Sequence, residues 1–276
     1  MARQLSVWEQ FQNTLTDGHV PFTIGLRNVS NTCFMNSIFN CLFNIKPMVP
    51  TLLQLNYQPF NSMIRNNEGL VMLAAFIKLL YGNFTNDLEK SNNRNDLLCR
   101  QIYALYPNDY QRGQQNDSHQ FLLHLLDWFK EELEDAEIKM ALKSQINTAE
   151  AMDRTNDALT LLLQLRINTR QTITCENNHV TRLEKLHDIL SVNAGNDINT
   201  SIAQHFKQVL FSACSCPDKT CNAFECNTCN SHVKAVEKTS IIKLPDYLII
   251  NLKIFVNNAK NEVIIYINFK IYISLH

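Results

Sequence analysis

The stretch from Gly25 to Leu42, GLRNVSNTCFMNSIFNCL, sets one cysteine, Cys33, between a polar turn and an apolar helical pattern. Asn31 and Thr32 are both favoured N-cap residues, which places Cys33 in the first turn of the helix that follows. Backbone N–H groups and the positive end of the helix dipole favour a thiolate over a thiol at such a position. Asn28, five residues earlier, could turn its side-chain amide toward an oxyanion forming at Cys33. A plainer reading competes: Cys33 as a small buried apolar group and Asn28 as a turn former.

Two further groups of residues could do chemistry. In GQQNDSHQFLLHLLDWFKEEL, Asp117 is a plausible N-cap, and Gln120 three residues on would complete a capping box. CENNH and FECNTC offer Cys175, His179, Cys226 and Cys229, two paired ligand sets far apart in sequence. Two such knuckles joined by strands can close a tetrahedral Zn²⁺ site. A rival set combines Cys214, Cys216 and Cys221 with Cys226 and Cys229. Nine cysteines behind an N-terminus without a secretory signal point to a reducing, intracellular compartment, cytoplasmic or nuclear.

Composition narrows the classes. Length of 276 residues, 45% apolar and 18% charged, suits a globular protein of one large domain or two sub-domains. A net charge of −1 gives no basic footprint for nucleic acid or an anionic membrane. The apolar run GLVMLAAFIKLLYG is too short to span a bilayer.

The elements that must carry these residues change character midway. Apolar residues at Ile38, Cys41, Leu42 and Ile45 have the spacing of one helix face. A second amphipathic segment carries Leu70, Leu73, Ala74, Ile77, Leu80 and Tyr81, and a third Leu122, Leu125, Leu126, Phe129 and Leu133. The polar run from Lys130 to Arg154 reads as an exposed helix or an insertion, and SNNRN as a loop. From Gln171 onward, QTITC, SIIKLPDYLIINLKIFV and EVIIYINFKIYISL are rich in β-branched and aromatic residues, the last with period two from Val263 to Leu275. A helical lobe followed by a β-rich lobe is an α+β layout.

The cysteine stretch resembles the cysteine box of the ubiquitin-specific proteases, papain-like enzymes that remove ubiquitin from proteins. Gly25, Leu26, Asn28, Asn31, Thr32, Cys33, Phe34, Met35, Asn36 and Ser37 match the family pattern. Ser30 stands where the family has glycine, and Asn40 where it usually has glutamine. This resemblance implies that Cys33 is the nucleophile and Asn28 its oxyanion partner. The segment around Asp117 is similar to the family's second signature, whose acidic pair holds the basic C-terminal tail of ubiquitin. That implies a substrate-binding role for Asp117 and Gln120. Gln120 replaces a glutamate and so removes one charge facing a cationic tail, which predicts weaker or altered ubiquitin affinity. Asn116 replaces the second signature's middle glutamine.

For Cys175, His179, Cys226 and Cys229 the resemblance implies the zinc ribbon of the family's fingers, with Cys-x-x-x-His departing from the usual Cys-x-x-Cys. AVEKTSIIKLPDYLIINLKIF matches a palm strand at Lys238, Leu244, Pro245, Leu248, Ile250, Leu252, Lys253 and Phe255, and its alternation fits a buried central strand. The implied organisation is an N-terminal segment over 1–23, a helical thumb over 24–165, and fingers with a partial antiparallel palm over 166–276. The implied partners are ubiquitin and ubiquitinated proteins, with a structural Zn²⁺ and no catalytic cofactor.

Thiol acyl transfer also needs an acid–base group, because a lysine amine leaves poorly unless protonated. The family uses a histidine in a Gly-His-Tyr box, oriented by a later Asp or Asn, and both follow the palm strand. Gly18-His19 lies upstream in the wrong order, and His119, His124, His187, His205, His232 and His276 have no matching context. The expectation is a chain holding the nucleophile and oxyanion half, slowed by about 10⁴- to 10⁶-fold without its partner. The alternatives are a ubiquitin-binding pseudoenzyme and a non-functional fragment. An unpaired β-forming tail adds an expectation of poor solubility or dependence on a partner.

Overall fold

A computed structural model describes residues 25–45, 48–54, 71–84, 87–143, 156–163, 165–212, 223–253, 255–257 and 263–265. The chain divides into two compact units, Met1–Gln164 and Leu165–His276. Leu70, the cysteines at 214, 216 and 221, His19, His276 and the strand pattern beyond Ile265 lie outside the described residues.

In the first unit α1 (Cys33–Phe43), α2 (Met48–Gln54), α3 (Val71–Phe84), α4 (Leu88–Leu105), α5 (Ser118–Lys143) and α6 (156–163) follow in order. Aromatic side chains make the core. Phe39 of α1 meets Phe76 of α3 at 5.8 Å and Phe121 of α5 at 5.7 Å, and Phe76 meets Phe129 at 5.0 Å. All four are fully buried, each stabilising by roughly 1.5–3 kcal/mol through water removed from its ring. The buried face of α1 matches the expected one in part: Leu42 and, just past the helix, Ile45 are buried. Phe34, Met35, Phe39, Leu42 and Phe43 turn inward, whereas Cys41 is exposed and Ile38 half-buried. The larger rings win the core because they remove more apolar surface from water.

SNNRN is not a loop; it lies in the middle of α4. Asp87 starts this helix, its carboxylate accepting from the Lys90 N–H at 3.0 Å. Ser91 and Asn95 are buried, so these weak helix formers are held by tertiary hydrogen bonds that override local preference. The polar run after Lys130 continues α5 as far as Lys143, and residues 144–155 lie outside the described set.

α5 also caps α3 from a distance. Both carboxylate oxygens of Glu132 accept backbone N–H groups at 2.8 Å, one from Met72 and one from Leu73. These are first-turn donors that α3 cannot satisfy itself, and a carboxylate suits the positive end of the helix.

In the second unit, β1 (Ile167–Cys175), β2 (Val180–His187), β3 (Leu190–Asn193), α7 (Ile198–His205), β4 (Val209–Phe211), β5 (Phe224–Cys226), β6 (Ser231–Val233), β7 (Ala235–Lys243), β8 (Ile250–Lys253), β9 (Phe255–Asn257) and β10 (Val263–Ile265) follow. One antiparallel sheet has the order β2-β1-β7-β4. β5–β6 and β9–β10 are antiparallel pairs. The stretch expected as one buried palm strand is two. β7 ends at Lys243, before Leu244-Pro245, where proline has no N–H for a ladder. β8 then pairs parallel with β3, Leu190 opposite Ile250, and Ile250, Asn251 and Leu252 are half-buried. Ile167, Leu190 and Val192 form a small core against Phe206, Leu248 and Leu252.

Glu132→Ala should lower unfolding stability by about 1–3 kcal/mol, the scale for losing charge-assisted bonds to otherwise unpaired amides. Denaturant unfolding of the variant beside the parent chain measures it.

Candidate active site and metal centre

The turn before α1 is built by Asn28 and Thr32. Asn28 Oδ1 accepts from the Thr32 backbone N–H at 2.8 Å and from its hydroxyl at 3.3 Å. Thr32 Oγ1 in turn accepts from the Val29 N–H at 3.0 Å. Thr32 is the N-cap residue by position but makes no capping bond, because its buried hydroxyl faces back into the turn. Asn31 does not cap either; its amide donates to Gly113 O at 2.7 Å. The first helical bond is Asn36 N–H to Thr32 O at 2.9 Å. Cys33 is therefore the first residue of α1, exposed, at a helix start whose leading N–H groups Thr32 leaves uncapped.

This arrangement orients Asn28 chemically. With Oδ1 engaged, its Nδ2 donors have no partner among the described residues. An amide donor and helix-start N–H groups beside a thiol are the parts an acyl oxyanion requires. The tight turn needs left-handed backbone at two successive residues, Ser30 (φ 59) and Asn31 (φ 65). Asn tolerates this region and Ser does so at a cost, since its Cβ crowds the following carbonyl.

Gly113 belongs to the loop that leads into α5, so the Asn31 bond ties the cysteine turn to the second signature. Asp117 caps α5, its Oδ1 accepting from the His119 N–H at 2.7 Å, while its other carboxylate oxygen has no partner among the described residues. The capping box does not form. Gln120 bonds His124 Nε2 at 2.7 Å, and His124 Nδ1 meets the buried Tyr110 hydroxyl at 2.8 Å. A ring one turn along offers Gln120 a partner on the same face, so its amide leaves the helix start. Burial first, then the Asp109 charge, pushes the Tyr110 phenol up to about 12, which keeps it neutral. Tyr110 stacks on Phe34 at 6.0 Å, and Phe34 packs edge-on against Phe121 at 5.5 Å, seating the start of α1 on α5.

Cys99 differs from Cys33 in exposure. It is buried in α4, and desolvation lifts its thiol to about 12, the setting of an inert packing cysteine.

In the second unit the structure brings Cys175, His179, Cys226 and Cys229 together, their ligand atoms all within 4.8 Å of one another. Cys175 ends β1, and a turn with left-handed Asn178 (φ 63) returns His179 to it: the Cys175 N–H donates to His179 O at 3.0 Å. Cys226 ends β5, and the turn to β6 carries left-handed Asn230 (φ 50). His179 Nδ1 lies 3.6 Å from Cys175 Sγ, 3.7 Å from Cys226 Sγ and 3.2 Å from Cys229 Sγ, and the Cys175–Cys229 sulfurs are 4.0 Å apart. Edges of a tetrahedral zinc site with these ligands measure about 3.5–3.8 Å. The donors fit.

The two thiols of the Cys-x-x-Cys turn shift in opposite directions, Cys226 down and Cys229 up. The Cys226 thiol is pulled down to about 6, chiefly by the Cys229 backbone N–H, with help from the Cys229 thiol, the Thr228 N–H and His179 against the cost of burial. Asn177 donates to Cys229 Sγ at 3.3 Å. The sulfurs sit on an apolar floor of Val233, Ala235, Ile173 and Phe224. Of the rival ligand set, only Cys226 and Cys229 fall within the described residues.

Sequence reasoning missed the residues of α4 that grip the cysteine turn. Asn92 Oδ1 accepts the Arg27 N–H at 3.1 Å, Asn95 donates to Arg27 O at 3.3 Å, and Asp96 pairs with the Arg27 guanidinium at 2.9 Å. The signal was present as polar residues at i, i+3 and i+4, the spacing of one helix face.

The sequence profile of the ubiquitin carboxyl-terminal hydrolase family matches residues 24–275. Curated relatives include ubiquitin carboxyl-terminal hydrolase 4 of Vanderwaltozyma polyspora, 24% identical over 88% of this chain and 30% of its own length. Ubiquitin carboxyl-terminal hydrolase 5 of Saccharomyces cerevisiae is 24% identical over 88% of this chain and 33% of its own length. Ubiquitin carboxyl-terminal hydrolase 42 of Homo sapiens is 23% identical over 84% and 16%. The chain thus spans a third or less of these relatives. Among solved structures, the SAGA Ubp8/Sgf11/Sus1/Sgf73 DUB module bound to ubiquitin aldehyde contains a similar chain, with a TM-score of 0.61 at 17% identity, covering 92% of this chain and 53% of that one. The likeness shows the fold, an α+β papain-like arrangement.

Ser30→Gly should raise unfolding stability by about 0.5–1 kcal/mol, because glycine enters the left-handed region without its Cβ clash; thermal unfolding reads this directly. Titrated with Co²⁺ under reducing conditions, the chain should bind one equivalent with intense thiolate-to-metal absorption, and Cys226→Ser should abolish the tight phase.

Proposed function

Because the chain belongs to the ubiquitin carboxyl-terminal hydrolase family, we propose that it acts at the C-terminus of ubiquitin, with Cys33 as nucleophile. The observation that supports this reading is the Asn28–Thr32 bond, which leaves the Asn28 amide donors without a partner among the described residues, five positions before an exposed thiol at a helix start.

The Cys33 sulfur attacks the carbonyl carbon of the last ubiquitin residue. A C–S bond forms as the carbonyl electron pair moves onto oxygen, where the Asn28 amide and the leading N–H groups of α1 receive it. Collapse breaks the C–N isopeptide bond, the lysine amine departs with a proton from an acid–base group, and water then hydrolyses the thioester. The free Asp117 oxygen, at the end of a loop tied through Gly113 to Asn31, would be the acceptor for a cationic tail. Gln120 supplies a hydrogen bond without a charge, so it adds less to that attraction than a carboxylate would.

Cys175, His179, Cys226 and Cys229 would hold a Zn²⁺, which supplies a structural cross-link when bound and takes no part in the acyl transfer. The four residues preset the two hairpin turns that such a cross-link would join.

A second reading has its own support: no hydrogen bond joins Cys33 to a histidine among the described residues. The chain would then hold ubiquitin without turning it over. Both readings meet in one experiment. With a ubiquitin electrophilic probe, the chain should form an adduct that Cys33→Ala abolishes and Asn28→Ala slows by about 10²-fold. Turnover of a fluorogenic ubiquitin substrate then marks a hydrolase, and binding without turnover a ubiquitin holder. Absence of both adduct and binding overturns the proposal.

A further inference from the structure

We propose that Asn95, together with Asn92, is a positioning residue that holds Asn28 in place from the middle of α4. The inference rests on the reading of Asn28 and Cys33 given above and deepens it.

The peptide that leads into Asn28 is held on both sides. Its carbonyl, Arg27 O, accepts from Asn95 Nδ2 at 3.3 Å and from Asn36 Nδ2 at 3.2 Å. The preceding N–H, that of Arg27, donates to Asn92 Oδ1 at 3.1 Å. Asn95 Nδ2 also donates to Asn36 Oδ1 at 3.1 Å, and Asn36 Nδ2 reaches Leu26 O at 3.3 Å. Asn95 is 0% exposed and Asn36 6%. In a water-free setting each of these amides loses its hydration and recovers it only in this one geometry. A lateral shift of residues 26–28 would strand several polar groups together, so the turn has one favoured place.

The choice of residues supports the assignment. Asn92 and Asn95 are poor helix formers at the fifth and eighth positions of an eighteen-residue helix, where leucine, alanine or lysine would suit the backbone better. A sequence departs from local preference where another requirement outweighs it. Here the requirement is visible: both side chains act on the backbone of residue 27, one bond short of the oxyanion donor. Asn95 does not touch the reacting atoms; it acts through Asn28.

The Thr32 amide, which donates to Asn28 Oδ1, reports the position of Asn28 without any substrate. Asn95→Leu keeps the size of the side chain and removes both donors. In the full chain, hydrogen exchange at Thr32 should accelerate at least tenfold, while amides of α3 and α5 keep their parent rates. Asn92→Ala removes only the Arg27 N–H acceptor and should give a smaller acceleration at Thr32; it decides the matter if Asn95→Leu loosens the whole unit. With the ubiquitin electrophilic probe, Asn95→Leu should cut the maximal covalent rate about tenfold to a hundredfold with little change in the half-saturating concentration. Its effect should vanish in an Asn28→Ala background, since it has nothing left to position. Unchanged Thr32 exchange in both variants overturns the proposal, as does a rate loss that simply multiplies with that of Asn28→Ala. A parent chain that ignores the probe overturns the functional reading instead, and the exchange rates still decide the role of Asn95.

Discussion

The hydrogen bond from the Thr32 N–H to Asn28 Oδ1 fixes more of this molecule's chemistry than any other. An amide side chain has one acceptor end and one donor end, and this bond occupies the acceptor end. The donor end is left without a partner among the described residues. The same bond closes the turn so tightly that two consecutive residues enter left-handed backbone, and it draws the Thr32 side chain away from capping α1. An uncapped helix start is ordinarily a small defect. Beside a thiol, its unpaired N–H groups are donors that an anion could use.

The helical unit is arranged to keep this turn still. Asn31 ties it to the loop before α5, Phe34 and Tyr110 seat the first turn of α1, and the amides of α4 hold residues 26–28. These contacts come from three different segments, so no single helix carries the site. Rigidity of this kind is what an oxyanion donor needs, because its value depends on being in place before charge develops.

Much of this was legible in the sequence for a physical reason. The cysteine turn is local: residues 28–33 bond to one another, so their types and spacing report the geometry directly. The grouping of Cys175, His179, Cys226 and Cys229, which could hold a metal, was legible in the same way, each pair sitting at the end of a hairpin. What stayed hidden was long-range. Asn92 and Asn95 look like loop formers until Arg27, more than sixty positions away, is placed beside them. The inward face of α1 was read only in part, because Ile38 and Cys41 fit a helical period with Leu42 as well as Phe39 and Phe43 do, and ring volume separates them. Gln120 was assigned a capping bond by its offset from Asp117, yet a histidine one turn along competes for the same amide. The palm stretch divides because Pro245 interrupts its ladder, and the parallel partnership of β8 with β3 leaves no mark on alternation.

The cluster in the second unit joins Cys175 to Cys229 across 54 positions. The entropy of bringing two such points together grows only with the logarithm of the intervening length, about 0.6 kcal/mol for each doubling. Within the stretch between them, β2 is paired to β1, β3 to β8 and β4 to β7, so this small cost applies only to the connections that join those elements. Those connections are where length can change while the two hairpin tips stay in register.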